Sequence, residues 1–331
     1  MTATKSARNM PTGPSPFTPA EADALALALE KFRDPRTTAK GEPRAHVGLK
    51  RLETLWFNTG SLCNLACATC FMESSPTNDA LVYLTRAETT HFMDEADAGF
   101  DTREIGFTGG EPFMNPDIMD MLEDALARGY DVLVLSNAMK PMRRREEALL
   151  ALKAQHGDRL TIRVSLDHYT QAAHEGERGA NSWTPAIDGL QWLSRQGFSI
   201  AVAGRHLPHE DDAAAREGYA AVFARHGIAI DAADPARLVL FPEMDETKDV
   251  PEITTACWGI LDISPSSVMC SSSRMVVRKK GSEAAGVVAC TLLPYDEEFD
   301  LGTTLAAANH TVSLNHPHCA RFCVLGGASC S

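Results

Sequence analysis

The sequence has no long apolar run. Nowhere do about 18 consecutive apolar residues occur, which is the length that a membrane-spanning helix needs. The N-terminal residues also lack the apolar core of a secretory signal. These absences predict a cytoplasmic protein with no membrane partner, in a compartment where thiols stay reduced.

Basic charge is scarce as well. The 331 residues contain 31 Lys and Arg against 44 Asp and Glu, and the formal net charge is −13 at pH 7. An acidic surface repels phosphate backbones, so nucleic acid is not an expected partner. The chain does have nine cysteines, which in a reducing compartment indicate metal or redox chemistry rather than disulfides.

Six short apolar runs predict β-strands between Leu52 and about residue 240. They are LETLWFNT, REIGFTG, YDVLVLSN, LTIRVSLD, FSIAVAG and ARLVLF. Helical patterns alternate with them, namely RAETTHFMDEADAG, NPDIMDMLEDALARG, RRREEALLALKAQHG, WTPAIDGLQWLSRQG and AREGYAAVFARHG. Such alternation indicates a parallel sheet with right-handed crossovers, and six strands are too few to close an eight-stranded barrel. The predicted fold class is α/β, a partial (β/α)6 TIM-like barrel followed by a small cysteine-rich domain.

The chain divides into three predicted parts. Residues 1–45 hold a loosely packed segment rich in Pro, Ser and Thr, then a helix that Thr18 caps. Residues 46–244 form the predicted barrel, and residues 245–331 hold six of the nine cysteines without a long helical repeat. The third part is therefore expected to be a small metal-stabilised domain. The first part is too short for a winged-helix peptide-recognition domain.

Three cysteines, Cys63, Cys67 and Cys70, follow the first predicted strand within eight positions. Three thiolates can hold three irons of a cubane cluster and leave the fourth iron open. A ligand with an amine beside a carboxylate, such as S-adenosylmethionine (SAM), could chelate that iron. A zinc knuckle and three unrelated buried thiols are the alternatives.

The segment CNLACATC after the first strand and the turn TGGEP after the second resemble the radical SAM superfamily. The resemblance covers about residues 50 to 240. It implies a partial barrel in which Cys63, Cys67 and Cys70 bind a [4Fe–4S] cluster. It also implies an enzyme that reductively cleaves SAM to a 5′-deoxyadenosyl radical, which then abstracts a substrate hydrogen.

The same resemblance implies the residues that contact SAM. The amino group would meet the turn formed by Thr108, Gly109, Gly110 and Glu111. The family usually has an aromatic residue before the third cysteine to pack on the adenine. Thr69 stands there in this chain, so Phe71 is expected to serve instead. The ribose or carboxylate would meet Ser136, Asn137, Ser165, Asp167 and Arg178.

A second set of cysteines lies in the third part of the chain. The segments SRMVVRKK and GVVAC predict a hairpin with Gly281 in its turn. The hairpin, the following F-x-L-G and the ending HCARFCVLGGASC resemble SPASM and Twitch domains, which bind auxiliary iron–sulfur clusters. The resemblance implies that one auxiliary [4Fe–4S] cluster is bound by Cys257, Cys270, Cys290 and Cys330.

The remaining pair, Cys319 and Cys323, would begin a second auxiliary cluster. The full SPASM pattern has seven cysteines, whereas this part has six, so that cluster needs a further ligand. Imidazole can replace thiolate at iron, and the nearby histidines are His310, His316 and His318. One auxiliary cluster is expected. A zinc ribbon and free thiols are the alternatives.

The partners implied are a small-molecule or peptide substrate and a reductant such as flavodoxin or ferredoxin. Two other functions stay open on the sequence. The chain could be an iron–sulfur electron carrier or metal-binding scaffold without SAM chemistry. It could also use SAM as a donor of methyl or aminocarboxypropyl groups. Substrate identity, and whether SAM is consumed or recycled, are not set by the residues.

Overall fold

The computed structural model describes residues 30–207, 210–242 and 249–327. The predicted helix that starts at Thr18 and the cysteine Cys330 lie outside these residues. The strands of the described part are β1 His46–Val47, β2 Thr54–Asn58, β3 Glu104–Thr108, β4 Asp131–Ser136, β5 Leu160–Ser165, β6 Ser199–Arg205, β7 Leu238–Phe241, β8 Ser273–Val277, β9 Gly286–Val288 and β10 Val312–Ser313.

An eight-stranded sheet forms the centre of the fold. Its order is β7-β6-β5-β4-β3-β2-β8-β9, and all neighbours are parallel except β8 and β9. The strands β2 to β7 are the six predicted from the sequence, so the partial (β/α)6 barrel is confirmed. These strands are apolar along their length because helices cover parallel sheets and bury their strands.

The packing inside the barrel sets the register of its first two strands. All five residues of β2 are buried, and Thr54 lies opposite Glu104. Trp56 is fully buried against Gly106 of β3. A Cβ atom added to Gly106 would lie 2.3 Å from the indole ring, so only glycine leaves room for this tryptophan.

The helices of the described part are α1 Arg86–Gly99, α2 Ile118–Ala127, α3 Lys140–Arg143, α4 Glu146–His156, α5 Gln171–Arg178, α6 Trp183–Arg195, α7 Asp212–His226 and α8 Cys257–Ile260. Four predicted helices are confirmed as α1, α2, α6 and α7. Thr85 and Glu88 start α1 with a capping box. Within the described ranges, no helix is both long and apolar enough to cross a membrane.

Two helical predictions need correction. The segment RRREEALLALKAQHG does not form one helix, because Arg145 departs from helical geometry with φ −107° and ψ 12°; α3 ends before it and α4 begins after it. Helix α5 was not predicted. Its sequence QAAHEGER has two alanines as its only apolar side chains and contains Gly176, so no stripe of large apolar residues marks it.

The predicted C-terminal hairpin is present as β8 and β9, and Gly281 in its turn has a φ of +84°. The hairpin does not form a sheet of its own. Strand β8 pairs in parallel with β2, with Ser273 opposite Thr54, so the C-terminal part of the chain extends the barrel sheet.

The loop after the three cysteines also contacts this C-terminal part. The amide of Val82 donates to the carbonyl of Arg278 at 2.9 Å. The Tyr295 hydroxyl donates to the carbonyl of Met72 at 2.8 Å. The C-terminal segment therefore holds the cysteine loop from the side opposite to β3.

The segment before the barrel is attached to the C-terminal region as well. Strand β1 pairs antiparallel with β10, and the buried Arg44 forms an ion pair with Glu252 at 2.5 Å. Burial raises the pKa of Glu252, but amide donors from Phe32 and Ala39 together with Arg44 outweigh it and lower the pKa overall. These contacts hold residues 30–47 in place.

Candidate active site

A cavity of about 170 Å³ lies at the carboxyl ends of the parallel strands. This edge is where parallel α/β folds place their chemistry. The last residue of each strand from β3 to β7 lines the cavity; these residues are Thr108, Ser136, Ser165, Arg205 and Phe241. The thiols of Cys63, Cys67 and Cys70 line it too, on the loop that follows β2.

The Gly-Gly turn after β3 packs directly beneath the cysteine loop. Gly109 has a φ of +143°, and a Cβ atom on Gly110 would lie 2.1 Å from the carbonyl oxygen of Leu62. The amide of Gly110 donates to the carbonyl of Gly60 at 2.7 Å. The two glycines are therefore needed for the loop to approach the turn, whatever ligand the cavity holds.

Glu111 lies fully buried behind the cavity wall. Its carboxylate accepts hydrogen bonds from the Ser136 hydroxyl at 2.9 Å, the Asn137 amide at 2.9 Å and the Phe113 amide at 3.2 Å. Burial raises the pKa of Glu111 to about 7, although these three donors lower it. The carboxylate thus fixes Ser136 and Asn137 at the end of β4 and offers a negative charge to a cation in the cavity.

The opposite side of the cavity contains a buried ion-pair network. Arg178 of α5 donates from Nε to Asp167 at 2.8 Å, and Arg205 approaches the same carboxylate at 3.6 Å. Burial raises the pKa of Asp167, but Arg178 and Arg205 outweigh it and keep the pKa below its ordinary value. Arg205 also donates to the carbonyl of Thr69 at 3.0 Å, which attaches the cysteine loop to β6.

The three thiols have the chemistry of iron–sulfur ligands. Burial raises the pKa of Cys63 to about 12 and raises that of Cys67, so these thiols bind protons until a cation replaces them. Within the described part of the chain, no three His, Cys, Asp or Glu side chains are grouped as ligands of one metal ion. A cubane distributes its thiolates over separate irons, so its ligands are spread more widely than those of one ion. Three thiols around one cavity fit such a cluster.

The structure brings the predicted site residues together. Every residue expected at the cluster or at SAM lines this cavity, with the exception of Glu111. The Glu111 carboxylate accepts hydrogen bonds from Ser136 and Asn137, and both of these residues line the cavity. Sequence reasoning missed the other wall of the cavity. That wall includes Arg163 of β5 and the apolar side chains Phe241, Leu292 and Phe322. These residues carry no motif, and two of them come from the C-terminal part of the chain.

A second, smaller cavity of about 20 Å³ lies in the C-terminal part. Four cysteines line it: Cys270, Cys290, Cys319 and Cys323. The rest of its lining is apolar. Burial raises the pKa of Cys270 to about 11 and raises that of Cys319 well above its ordinary value. The last two cysteines belong to a π-helix, Cys319–Val324.

This grouping differs from the one expected on the sequence. Cys257 does not line the second cavity, and its sulfur accepts instead from the amide of Thr254 at 3.4 Å. The histidines also lie off the lining: His310 is exposed, and the rings of His316 and His318 contact each other with centroids 4.6 Å apart. Cys330 lies outside the described residues.

A profile of the family described as Radical SAM superfamily matches residues 57–217, just under half of the chain. The match runs from within β2 into α7 and includes the three cysteines, the glycine turn, Glu111 and Arg178. The chain contains a radical SAM domain. This match implies a [4Fe–4S] cluster and SAM as cofactors.

Two curated relatives show the same likeness. The antilisterial bacteriocin subtilosin biosynthesis protein AlbA of Bacillus subtilis is 32% identical over 142 residues, 43% of this chain and 30% of AlbA. The mycofactocin maturase MftC of Mycobacterium ulcerans is 28% identical over 158 residues, 46% of this chain and 41% of MftC. The matched part of this chain therefore spans less than half the length of either relative.

Solved structures share the fold at low sequence identity. Streptococcus suis SuiB bound to S-adenosylmethionine superposes with a TM-score of 0.55 at 10% identity, covering 75% of this chain and 62% of SuiB. SuiB bound to its precursor peptide SuiA gives 0.54 at 11% identity and covers 93% of this chain and 73% of SuiB. At this identity the likeness establishes the barrel architecture of the chain and nothing more specific.

Proposed function

We propose that this chain is an enzyme that cleaves SAM reductively and uses the product radical to abstract a substrate hydrogen. The observation that carries the proposal is that three thiols, the glycine turn and an arginine–carboxylate pair line a single cavity at the carboxyl edge of the sheet. A cluster bound there would supply one electron to the sulfonium of SAM. This reduction would break the C5′–S bond and give methionine and the 5′-deoxyadenosyl radical.

The cavity residues would bind and orient the cofactors. Cys63, Cys67 and Cys70 would ligate the cluster. Glu111 would stabilise the cationic end of SAM by its charge while it positions the end of β4. Arg178, held by Asp167 through two of its five N–H groups, would offer its other donors to the SAM carboxylate. Phe71, Thr108, Ser136, Asn137 and Ser165 complete the proposed SAM site.

An auxiliary [4Fe–4S] cluster in the C-terminal part belongs to the same proposal. Its ligands would be Cys270, Cys290, Cys319 and Cys323, because these four thiols line one apolar cavity. Four protein ligands would fill every iron of a cubane, so this cluster would exchange electrons rather than bind substrate through an open iron. In this proposal Cys257 is not a ligand of the auxiliary cluster, unlike in the set expected from the sequence.

The substrate proposed is a peptide, with a small molecule as the second candidate. The support is the naming of the relatives: MftC is called a maturase, and SuiB is seen with a precursor peptide. The electron would come from a small carrier such as flavodoxin or ferredoxin.

We also propose that the chain divides into three parts, residues 1–45, 46–244 and 245–331, and that the protein is cytoplasmic.

The proposal is tested by anaerobic reconstitution of the full chain with iron and sulfide, followed by SAM and dithionite. We expect 5′-deoxyadenosine and methionine from the wild type and neither from Cys67→Ala. An iron–sulfur electron carrier would hold iron but form no 5′-deoxyadenosine. A methyl or aminocarboxypropyl transferase would form S-adenosylhomocysteine or methylthioadenosine instead, and either result would replace the proposal.

A further inference from the structure

The wall of the active-site cavity that faces the C-terminal part is aromatic and aliphatic. Phe241 ends β7, Leu292 follows the auxiliary cysteine Cys290, and Phe322 lies in the π-helix. The rings of Phe241 and Phe322 are 5.3 Å apart and tilted by 34°. This wall, formed by Phe241, Leu292 and Phe322, is called the apolar wall below.

The position of Phe322 depends on the unusual helix that carries it. Cys319 and Cys323 line the small cysteine cavity, whereas Phe322 between them lines the SAM cavity. The helix therefore presents side chains to both cavities. Its end is closely packed, because a Cβ atom on Gly326 would lie 3.0 Å from Cγ of Pro242, next to Phe241. π-Helical turns are frequent at functional sites, and here one supports the apolar wall.

The charged residues that line the cavity disfavour a cationic substrate side chain beside the apolar wall. Among the described residues that line it, Asp167 is the sole carboxylate, and it already faces Arg178 and Arg205. The lining also includes Arg163. A cationic substrate side chain would therefore find no unpaired carboxylate among these described lining residues, and burying an unpaired charge is costly.

We infer that the apolar wall is the substrate subsite and that it accepts an uncharged apolar side chain, aromatic or branched aliphatic, of a peptide. This inference rests on the proposed function, because the side chain must lie where a radical formed in the cavity can reach it. The subsite adds to that function the chemical class of the substrate residue from which hydrogen is abstracted.

The test uses reconstituted full-length protein, SAM, dithionite and four blocked peptides, acetyl-Gly-Gly-Xaa-Gly-Gly-amide. Xaa is perdeuterated Phe, Leu, Lys or Glu. The measurements are 5′-deoxyadenosine formed above the SAM-only rate and its deuterium content. We expect the Phe and Leu peptides to exceed the Lys and Glu peptides by at least about tenfold, the discrimination that apolar pockets give.

Two variants test the wall itself. Phe241→Ala and the milder Phe322→Leu should each lower the preference for the Phe peptide over the Lys peptide, by about tenfold for the larger truncation. Phe223→Leu, which truncates a buried ring of α7 outside both cavities, should keep the preference. Circular dichroism and iron content show whether each variant is folded and loaded.

The outcomes separate the inference from the function on which it rests. If wild type cleaves SAM but the Lys or Glu peptide responds as strongly as the Phe peptide, or no peptide responds, the inference is wrong and the proposed function stands. If the wall variants weaken SAM binding in calorimetry while the peptide preference is retained, the wall contacts the adenine and the inference is also wrong. If wild type never forms 5′-deoxyadenosine, the proposed function fails.

Discussion

The two cysteine sites of this chain differ in the number of thiols and in what surrounds them. The barrel site has three thiols around a cavity of about 170 Å³ whose lining includes hydroxyls, amides and ion pairs. The C-terminal site has four thiols around a cavity of about 20 Å³ whose other lining is apolar. Three thiolates leave one iron of a cubane cluster without a protein ligand, whereas four thiolates leave none. This difference in the number of thiols supports the proposal that the barrel site binds SAM and that the C-terminal site exchanges electrons.

The largest expected effect comes from removing a thiol of the barrel site. Cys67→Ala should lower 5′-deoxyadenosine formation by more than about a thousandfold, because an incompletely bound cluster cannot pass its electron to SAM. Chromatographic assay of 5′-deoxyadenosine checks this. Activity retained in Cys67→Ala would break the comparison, since the three-thiol site would not be the reactive one.

The next effect concerns the identity of the auxiliary ligands. Cys319→Ser should lower the iron content of reconstituted protein from about eight to about four atoms per chain, since a cubane holds four irons. Cys257→Ser is the matched control and should retain the full iron content, because Cys257 does not line the cavity. Iron and sulfide assays decide the matter. The reverse pattern in these two variants would restore the ligand set expected from the sequence.

A smaller effect is expected at Glu111. Its pKa of about 7 means that the carboxylate becomes charged as pH rises through neutrality, so wild-type affinity for cationic SAM should rise between about pH 6 and 7.5. Glu111→Gln should bind SAM about 10- to 100-fold more weakly at pH 7.5 and lose this rise, because a charged interaction is removed. Anaerobic calorimetry at several pH values measures both. An unchanged pH profile in Glu111→Gln would show that another group titrates.

The smallest effect tests the link between the two regions. Tyr295→Phe removes the hydrogen bond from the C-terminal segment to Met72 and should cost about 1 kcal/mol of unfolding free energy. Iron content should not change, since both sets of thiols remain. Denaturant unfolding of the iron-free chain measures the loss. A variant that unfolds like wild type would show that this hydrogen bond adds no stability to the contacts already made by the pairing of β2 with β8.

Much of the barrel was predictable because its strands are buried on both faces. Continuous apolar runs such as that around Trp56 mark such strands without ambiguity. The short polar helix α5 carries Arg178 and could not be recognised, because its stability comes from packing and ion pairs rather than from its own pattern. Family resemblance alone pointed to Arg178; the residue lines the cavity, and its contact with the SAM carboxylate stays a prediction.

The candidate site was predictable wherever a motif marked it and not elsewhere. The cysteines and the glycine turn have fixed spacing because a cluster and a tight loop demand it. Phe241 and Phe322 meet across more than eighty residues of sequence, and no spacing rule records that contact. The grouping of the four auxiliary thiols was equally hard to predict from the sequence, because it depends on how the π-helix packs against Cys270 and Cys290.

The parallel pairing of β8 with β2 has a consequence for biosynthesis. Ser273 lies opposite Thr54, so the neighbour of the first barrel strand is made more than two hundred residues after it. Contacts of such high sequence separation form late, because the ends of a long loop must first be brought together. During translation β2 and the cysteine loop therefore leave the ribosome before the hairpin, and β2 has no neighbour on its β8 side until the hairpin is made. Iron delivered before that moment would meet a cysteine loop that still lacks the strand beside it.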